Sequence, residues 1–354
     1  MKQNQAELIA RMGPALATDF SVVPLDAPDA PLFLAVALPN SEGVTGLKPR
    51  LPAGRGMTMA QALLAAGAEA LELRSSLAQH HLAELAALPR RDGLARVTAT
   101  DMLSGEPVEV PAQLVYLDCA AVLSEPLVKD ADSTGCATGA DRDGAIAAGL
   151  WECVERDAVA LWWHGGRPAA PLPLDLIDEH QPRLFWWLHQ RARQTLLLDL
   201  TTDIGLPVVA AVSADADGRV VATGTAARPV LEDAALAAVT EMVQTEVGME
   251  LAREAGDPEV LAWIGQASTG RQPQFAPAAP AREPDVSLDR EGLLTRLAGL
   301  GHRALAVDLT LPGDPLPSLR VLVPGLCAMR GGTDTSRFAR LCPKASGLNL
   351  PEPY

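Results

Sequence analysis

Two apolar stretches of this chain carry the same pair of carboxylates. Glu69 and Glu72 stand in Ala68-Glu69-Ala70-Leu71-Glu72, and Glu152 and Glu155 in Trp151-Glu152-Cys153-Val154-Glu155-Arg156. A spacing of three puts each pair on one face of a helix, about one turn apart. Four carboxylates gathered in a low-dielectric site need counter-charge, and hard divalent cations carrying a nucleotide triphosphate supply it. Arg55 and Arg156 are of the type that meets phosphate oxygens. A third apolar stretch adds Glu241 and Gln244, again three apart. The ordinary reading stands beside this one: such spacings arise by chance on surface helices, and a Glu/Gln pair is often a cap. Spacing alone leaves both open.

The segment Ser133-Thr134-Gly135-Cys136-Ala137-Thr138-Gly139 leads toward the second acidic pair. Small residues there let backbone amides approach an anion, although a capping turn has the same composition. No Gly-Lys-Ser/Thr follows it, and GxSxG, HExxH and a Rossmann glycine triplet are absent. The five cysteines show no CxxC spacing, which fits buried free thiols in a reducing cytosol. A net charge of −15 repels polyanions, so nucleic acid is a poor partner and a basic peptide a better one. The first twenty residues lack an apolar signal core, and no run of about 18 apolar residues would span a membrane. A cytoplasmic, non-membrane protein is expected.

These side chains need elements to hold them. Helices are expected over residues 6–12, 59–88, 143–164, 232–254 and 288–300, with Pro89 a natural stop for the second. Strands are expected over 31–38, 108–122, 220–226, 304–310 and 319–323, and twice between 194 and 214 around Gly205-Leu206-Pro207. Residues 258–282 are rich in Pro, Gly and Ala and read as a flexible surface loop. The tail from Gly331 has no apolar periodicity. Trp162-Trp163 and Trp186-Trp187 read as core or interface. The alternation lacks a strict βαβ rhythm, so the expected class is α+β, with helices packed on mixed or antiparallel sheets.

The ordered motifs resemble the YcaO family. Gly54-Arg55-Gly56 through Glu69 and Glu72 is similar to its first signature, a GKG turn before a helix ending in ExxER. Ser133 through Gly139, then Ala145, Gly149-Leu150, Glu152, Glu155-Arg156-Asp157 and Trp162-Trp163, resemble its second. Asp199-Leu200-Thr201, Gly205-Leu206-Pro207, residues 234–244, Asp308-Leu309-Thr310 and Val323-Pro324-Gly325-Leu326 follow in family order. The similarity runs from about residue 45 onward, which makes residues 1–44 an N-terminal extension and 45–354 a YcaO domain with a proline-containing tail.

The resemblance implies an ATP-dependent enzyme that phosphorylates the oxygen of a peptide backbone amide. A Cys, Ser or Thr side chain then closes an azoline ring, or an outside nucleophile gives a thioamide or amidine. An azoline-forming cyclodehydratase in the biosynthesis of ribosomal peptide natural products is the expected role. A thioamide- or amidine-forming enzyme, or a silent scaffold within a peptide-modifying complex, are the alternatives. ATP and Mg2+ are the implied cofactors. Glu69, Glu72, Glu152 and Glu155 would hold Mg2+, and Arg55, Ser133, Arg156, Glu241 and Gln244 would bind nucleotide. Pro351-Glu352-Pro353-Tyr354 looks like a shortened form of the tail that reaches the active site in azoline-forming members, giving Pro353 and Tyr354 a catalytic place. Residues 1–44 are too short for a leader-peptide module, so a separate recognition partner is implied, and a homodimer is compatible with the resemblance. The chain departs from the family pattern at Arg55 for lysine, Leu73 for arginine, Gly144 for glutamate and Glu246 for a basic residue.

Overall fold

The computed structural model describes residues 2–26, 29–48, 50–128, 131–280, 288–328 and 333–345. In chain order it runs through α1 (Lys2–Leu16), β1 (Phe20–Leu25), β2 (Phe33–Pro39), β3 (Ala53–Gly56), α2 (Met59–Ser76) and α3 (Leu82–Ala86). It continues through β4 (Arg90–Arg91), β5 (Leu94–Asp101), β6 (Pro107–Pro111), α4 (Cys119–Val122), β7 (Cys136–Thr138) and α5 (Arg142–Trp163). Next come β8 (Ala170–Leu172), α6 (Pro182–Gln190), β9 (Gln194–Asp199), β10 (Val208–Ala214), β11 (Ala222–Ala227) and α7 (Leu231–Glu254). The last elements are α8 (Pro258–Gln266), α9 (Arg290–Gly299), β12 (Leu305–Asp308), β13 (Ser318–Leu322) and α10 (Ser336–Leu341). The strand ladders are antiparallel, as in β2 on β3 and β13 on β7. The chain divides into two compact units. The first is Met1–Asp26, Phe33–Cys153 and Leu294–Pro324; the second is Ala27–Leu32, Val154–Leu293 and Gly325–Tyr354.

The first unit holds a three-stranded sheet, β1-β2-β3, and a larger one ordered β4-β5-β12-β13-β7 with β6 on β5. Helix α2 starts with a capping box: Gln61 N–H donates to the Thr58 hydroxyl, and the Gln61 side chain accepts from Thr58 N–H. Its small residues let β3 press onto it. A Cβ at Gly54 would lie 2.2 Å from the Ala66 nitrogen, so only glycine fits there. The expected single helix over 59–88 instead breaks after Ser76. The Ser76 hydroxyl bonds Leu73 O, and the backbone at Leu77 turns extended to bridge Leu117. A tertiary pairing therefore ends a helix that propensity would continue. The expected strand over 108–122 shortens to β6. Asp118 then takes a left-handed conformation (φ 60°) at the start of α4.

The second unit is built on the sheet β11-β10-β9-β8, whose two strands β10 and β11 are buried along their whole length. Helix α7 lies on them. A Cβ at Gly224 would sit 2.3 Å from both Ala238 O and Met242 N, so β11 meets the helix backbone directly. Trp162, Trp163, Trp263 and Phe275 form a buried aromatic cluster with ring centroids 5.3–6.4 Å apart. That cluster corrects the expected loop over 258–282. Asp257 caps α8, Pro258 opens it, and Trp263 donates from Nε1 to Val221 O at 2.7 Å. Residues 281 and 282 lie outside the described residues. Helix α10, absent from the sequence expectation, is held by a buried ion pair: Arg337 donates to Asp157 at 2.8–3.0 Å and to Asp203 at 2.7 Å. The five cysteines are free and buried, and among the described residues no helix is long and apolar enough to cross a membrane.

Candidate active site

In the first unit, α2 and the first half of α5 bring three of the four expected glutamates within electrostatic reach. Burial first, then the charges of Glu152 and Glu69, raise the pKa of Glu72 well above that of an ordinary glutamate. A Thr138 backbone N–H and the Arg320 guanidinium pull the other way. Glu69 is exposed and accepts Ala53 N–H at 3.1 Å, which ties α2 to the start of β3. Arg55 lies on β3, paired in register with Leu34, so the expected turn is a strand held flat on α2 by its flanking glycines.

The segment 131–139 is pinned to the same carboxylates. Gly135 N–H donates to Glu152 Oε2 at 3.0 Å, and Gly135 O accepts Val321 N–H at 2.7 Å. Gly135 has φ 83°, and a Cβ there would lie 2.1 Å from Val321 O, so glycine is required twice over. Ser133 is exposed, with its carbonyl accepting Cys136 N–H at 2.8 Å. Beneath the segment, the buried Arg320 donates from Nη1 to Asp132 O at 2.6 Å and to Cys136 Sγ at 3.1 Å. Burial pushes the Cys136 thiol up to about 11, which leaves it a poor nucleophile. The sequence expectation missed Arg320; its one signal was a lone charge inside the apolar strand Ser318-Leu319-Arg320-Val321-Leu322.

Glu155, Arg156, Glu241 and Gln244 belong to the second unit. Glu155 is buried and its oxygens are engaged. The Thr225 hydroxyl donates to Oε1 at 2.7 Å, Arg156 Nη1 to Oε1 at 2.9 Å, and Ala227 N–H to Oε2 at 3.2 Å. Glu241 and Gln244 are half-buried on α7, with Glu241 beside Gly224 of β11. The reversed charge at Glu246 has its own partners: Arg191 at 2.7 Å, Arg193 at 3.3 Å and the Ser213 hydroxyl. Leu73 packs in the core, and the adjacent Arg74 pairs with Asp19 and Asp314. At Gly144 the N–H donates to Asp141 Oδ1 at 2.8 Å, which makes Asp141 the cap of α5. Pro353 and Tyr354 lie outside the described residues.

A family model described as YcaO cyclodehydratase, ATP- and Mg2+-binding, matches residues 77–327. The chain belongs to the YcaO family. Solved YcaO-type structures share its fold. A heterocyclase in complex with substrate and cofactor is 22% identical with a TM-score of 0.78; the likeness covers 100% of this chain and 57% of that one, so this chain spans little more than half of it. YcaO from Methanopyrus kandleri, bound with AMPPCP and Mg2+, is 22% identical with a TM-score of 0.67, over 92% of this chain and 91% of that one. A chain of the Escherichia coli microcin synthetase McbBCD complex is 15% identical with a TM-score of 0.64, over 86% and 87%. At these identities the likeness establishes the fold.

The family's cofactors are ATP and Mg2+, and the residues fit them. The donors near Glu72 are carboxylate oxygens, the ligands of a hard cation, and a desolvated carboxyl beside two others is the setting that a divalent ion relieves. Among the described residues no group of three or more His, Cys, Asp or Glu closes into a metal cage. Mg2+ does not need one, since it is commonly held by one or two carboxylates together with phosphates and water.

Proposed function

We propose that this YcaO protein is an ATP-dependent peptide cyclodehydratase that converts Cys, Ser or Thr residues of a ribosomal peptide into azolines. The observation that carries this reading is the half-buried Glu72 of α2, desolvated and within electrostatic reach of Glu69 and Glu152, in a chain of the YcaO family. When bound, ATP supplies the phosphoryl group that turns the amide oxygen into a leaving group. Glu69, Glu72 and Glu152 would hold Mg2+. Glu155 is assigned to the same task from its place in the family motif, although in the structure its oxygens accept from Thr225, Arg156 and Ala227. Arg55, Ser133, Arg156, Glu241 and Gln244 are proposed as nucleotide contacts. Catalysis would rest on positioning and charge stabilisation. Pro353 and Tyr354 are assigned to the tail that completes the site in azoline-forming members.

A separate partner protein is proposed to present the peptide. The net charge of −15 favours a basic leader or partner. The reading is tested by incubating the chain, Mg-ATP, a Cys/Ser/Thr-rich precursor and a co-expressed partner, and following phosphate release and peptide mass. Loss of one water per ring with matched ATP hydrolysis supports it. A gain of sulfur in place of amide oxygen, with tail deletion (residues 350–354) harmless, points to a thioamide-forming member. Failure to bind Mg-ATP at all leaves the silent scaffold.

A further inference from the structure

Arg320 is a costly residue to bury. The residue is 4% exposed, and its Nε has no hydrogen-bond partner. Strand β13 places it opposite Cys136 of β7. From there Nη1 holds Asp132 O at 2.6 Å and Cys136 Sγ at 3.1 Å, while the next residue, Val321, holds Gly135 O at 2.7 Å. Arg320 thus grips both ends of the segment 132–136, and the next residue of the strand holds Gly135 within it. The opposite side of that segment presents Gly135 N–H to Glu152, and Thr138, two residues on from Cys136, presents its N–H to Glu72. Resting on the Mg-nucleotide reading of these carboxylates, we propose that Arg320 is a positioning residue. It fixes the backbone whose amides orient Glu152 and Glu72, one layer behind the groups that touch the metal. Outer partners of this kind commonly set metal affinity without touching the metal.

The test uses the full chain, AMPPCP as the nucleotide probe, and calorimetric binding across a Mg2+ series. Arg320→Lys keeps the charge and loses the planar fork. Leu85→Ala, in the core packed by Val97 and Val115, serves as a control for general destabilisation. The expected result is binding weakened about 10- to 100-fold in Arg320→Lys, largely recovered at high Mg2+, with the control binding like wild type. Wild-type affinity in Arg320→Lys overturns the proposal, and so does an equal loss in Leu85→Ala at matched melting temperature. Where Arg320→Lys does not fold, Cys136→Ala removes the Sγ that accepts from Arg320 in the same clamp, and unchanged binding there also overturns it. A wild type that binds no Mg-AMPPCP overturns the nucleotide reading itself, and this proposal with it.

Discussion

Glu152 accepts the backbone N–H of Gly135 at 3.0 Å through Oε2. One carboxylate oxygen thus holds the 131–139 segment in place. Glutamine at this position can still accept that bond through its amide oxygen, but it brings no charge to a cation. Glu152→Gln is therefore expected to fold with stability within about 1 kcal/mol of wild type and to lose the rise in melting temperature that Mg-ATP produces. Thermal melts with and without Mg-ATP check this. A full rise in the variant would remove Glu152 from the metal site.

Stability should fall with pH through Glu72. Its folded pKa is raised by burial and by Glu152 and Glu69, so the unfolded chain releases this proton at lower pH than the folded chain does. Between the two values the folded state binds more protons, and stability drops as pH rises. Glu72→Gln removes this dependence. Without Mg2+ and nucleotide, its urea midpoint should gain on that of wild type as pH goes from acid to neutral. Parallel midpoints at every pH would count against a desolvated Glu72 beside two other carboxylates.

Gly144 leaves the family's glutamate position without a ligand, and Asp141 is committed to capping α5. Asp141→Ala is expected to cost about 1 kcal/mol in urea unfolding. Asp143, exposed in the first turn of α5, is the remaining carboxylate on that turn. Asp143→Ala should lower ATP turnover while leaving the melting temperature in place. Unchanged turnover would exclude it as the replacement ligand.

Glu246 is the hub of a cation pair, with Arg191 at 2.7 Å and Arg193 at 3.3 Å. Restoring the family's basic residue should therefore damage this chain. Glu246→Lys places three like charges together in a half-buried setting and is expected to cost about 2–3 kcal/mol in urea unfolding. A neutral result would mean that the two arginines find other partners. Glu246→Gln, which keeps one of the two acceptor oxygens and adds no positive charge, should cost less.

The family and its departures were legible because spacing is a local property. Glu69 and Glu72 share a helix face whatever surrounds them, and the same holds for Glu152 and Glu155. The α+β class, helices α5 and α7, and strands β9 and β10 followed from periodicity alone. The α8 helix was hidden because Pro, Gly and Ala dominate its neighbourhood. Its order comes from Trp263 and Phe275 packing against Trp162 and Trp163, residues distant in sequence. Likewise the stop of α2 at Ser76 is set by Leu117, 41 residues beyond it, and no local signal announces it.

By itself the sequence determined which groups are available: paired carboxylates, a small-residue segment before α5, arginines near both, and glycines at 54, 135 and 224. Only the tertiary structure decided what those groups are bonded to. It committed both Glu155 oxygens to Thr225, Arg156 and Ala227, neutralised Glu246 with Arg191 and Arg193, made Asp141 a cap, and set Arg320 behind Glu72. The physical reason is that charge and spacing are written along the chain, whereas desolvation and hydrogen-bond partnership depend on residues brought close by folding.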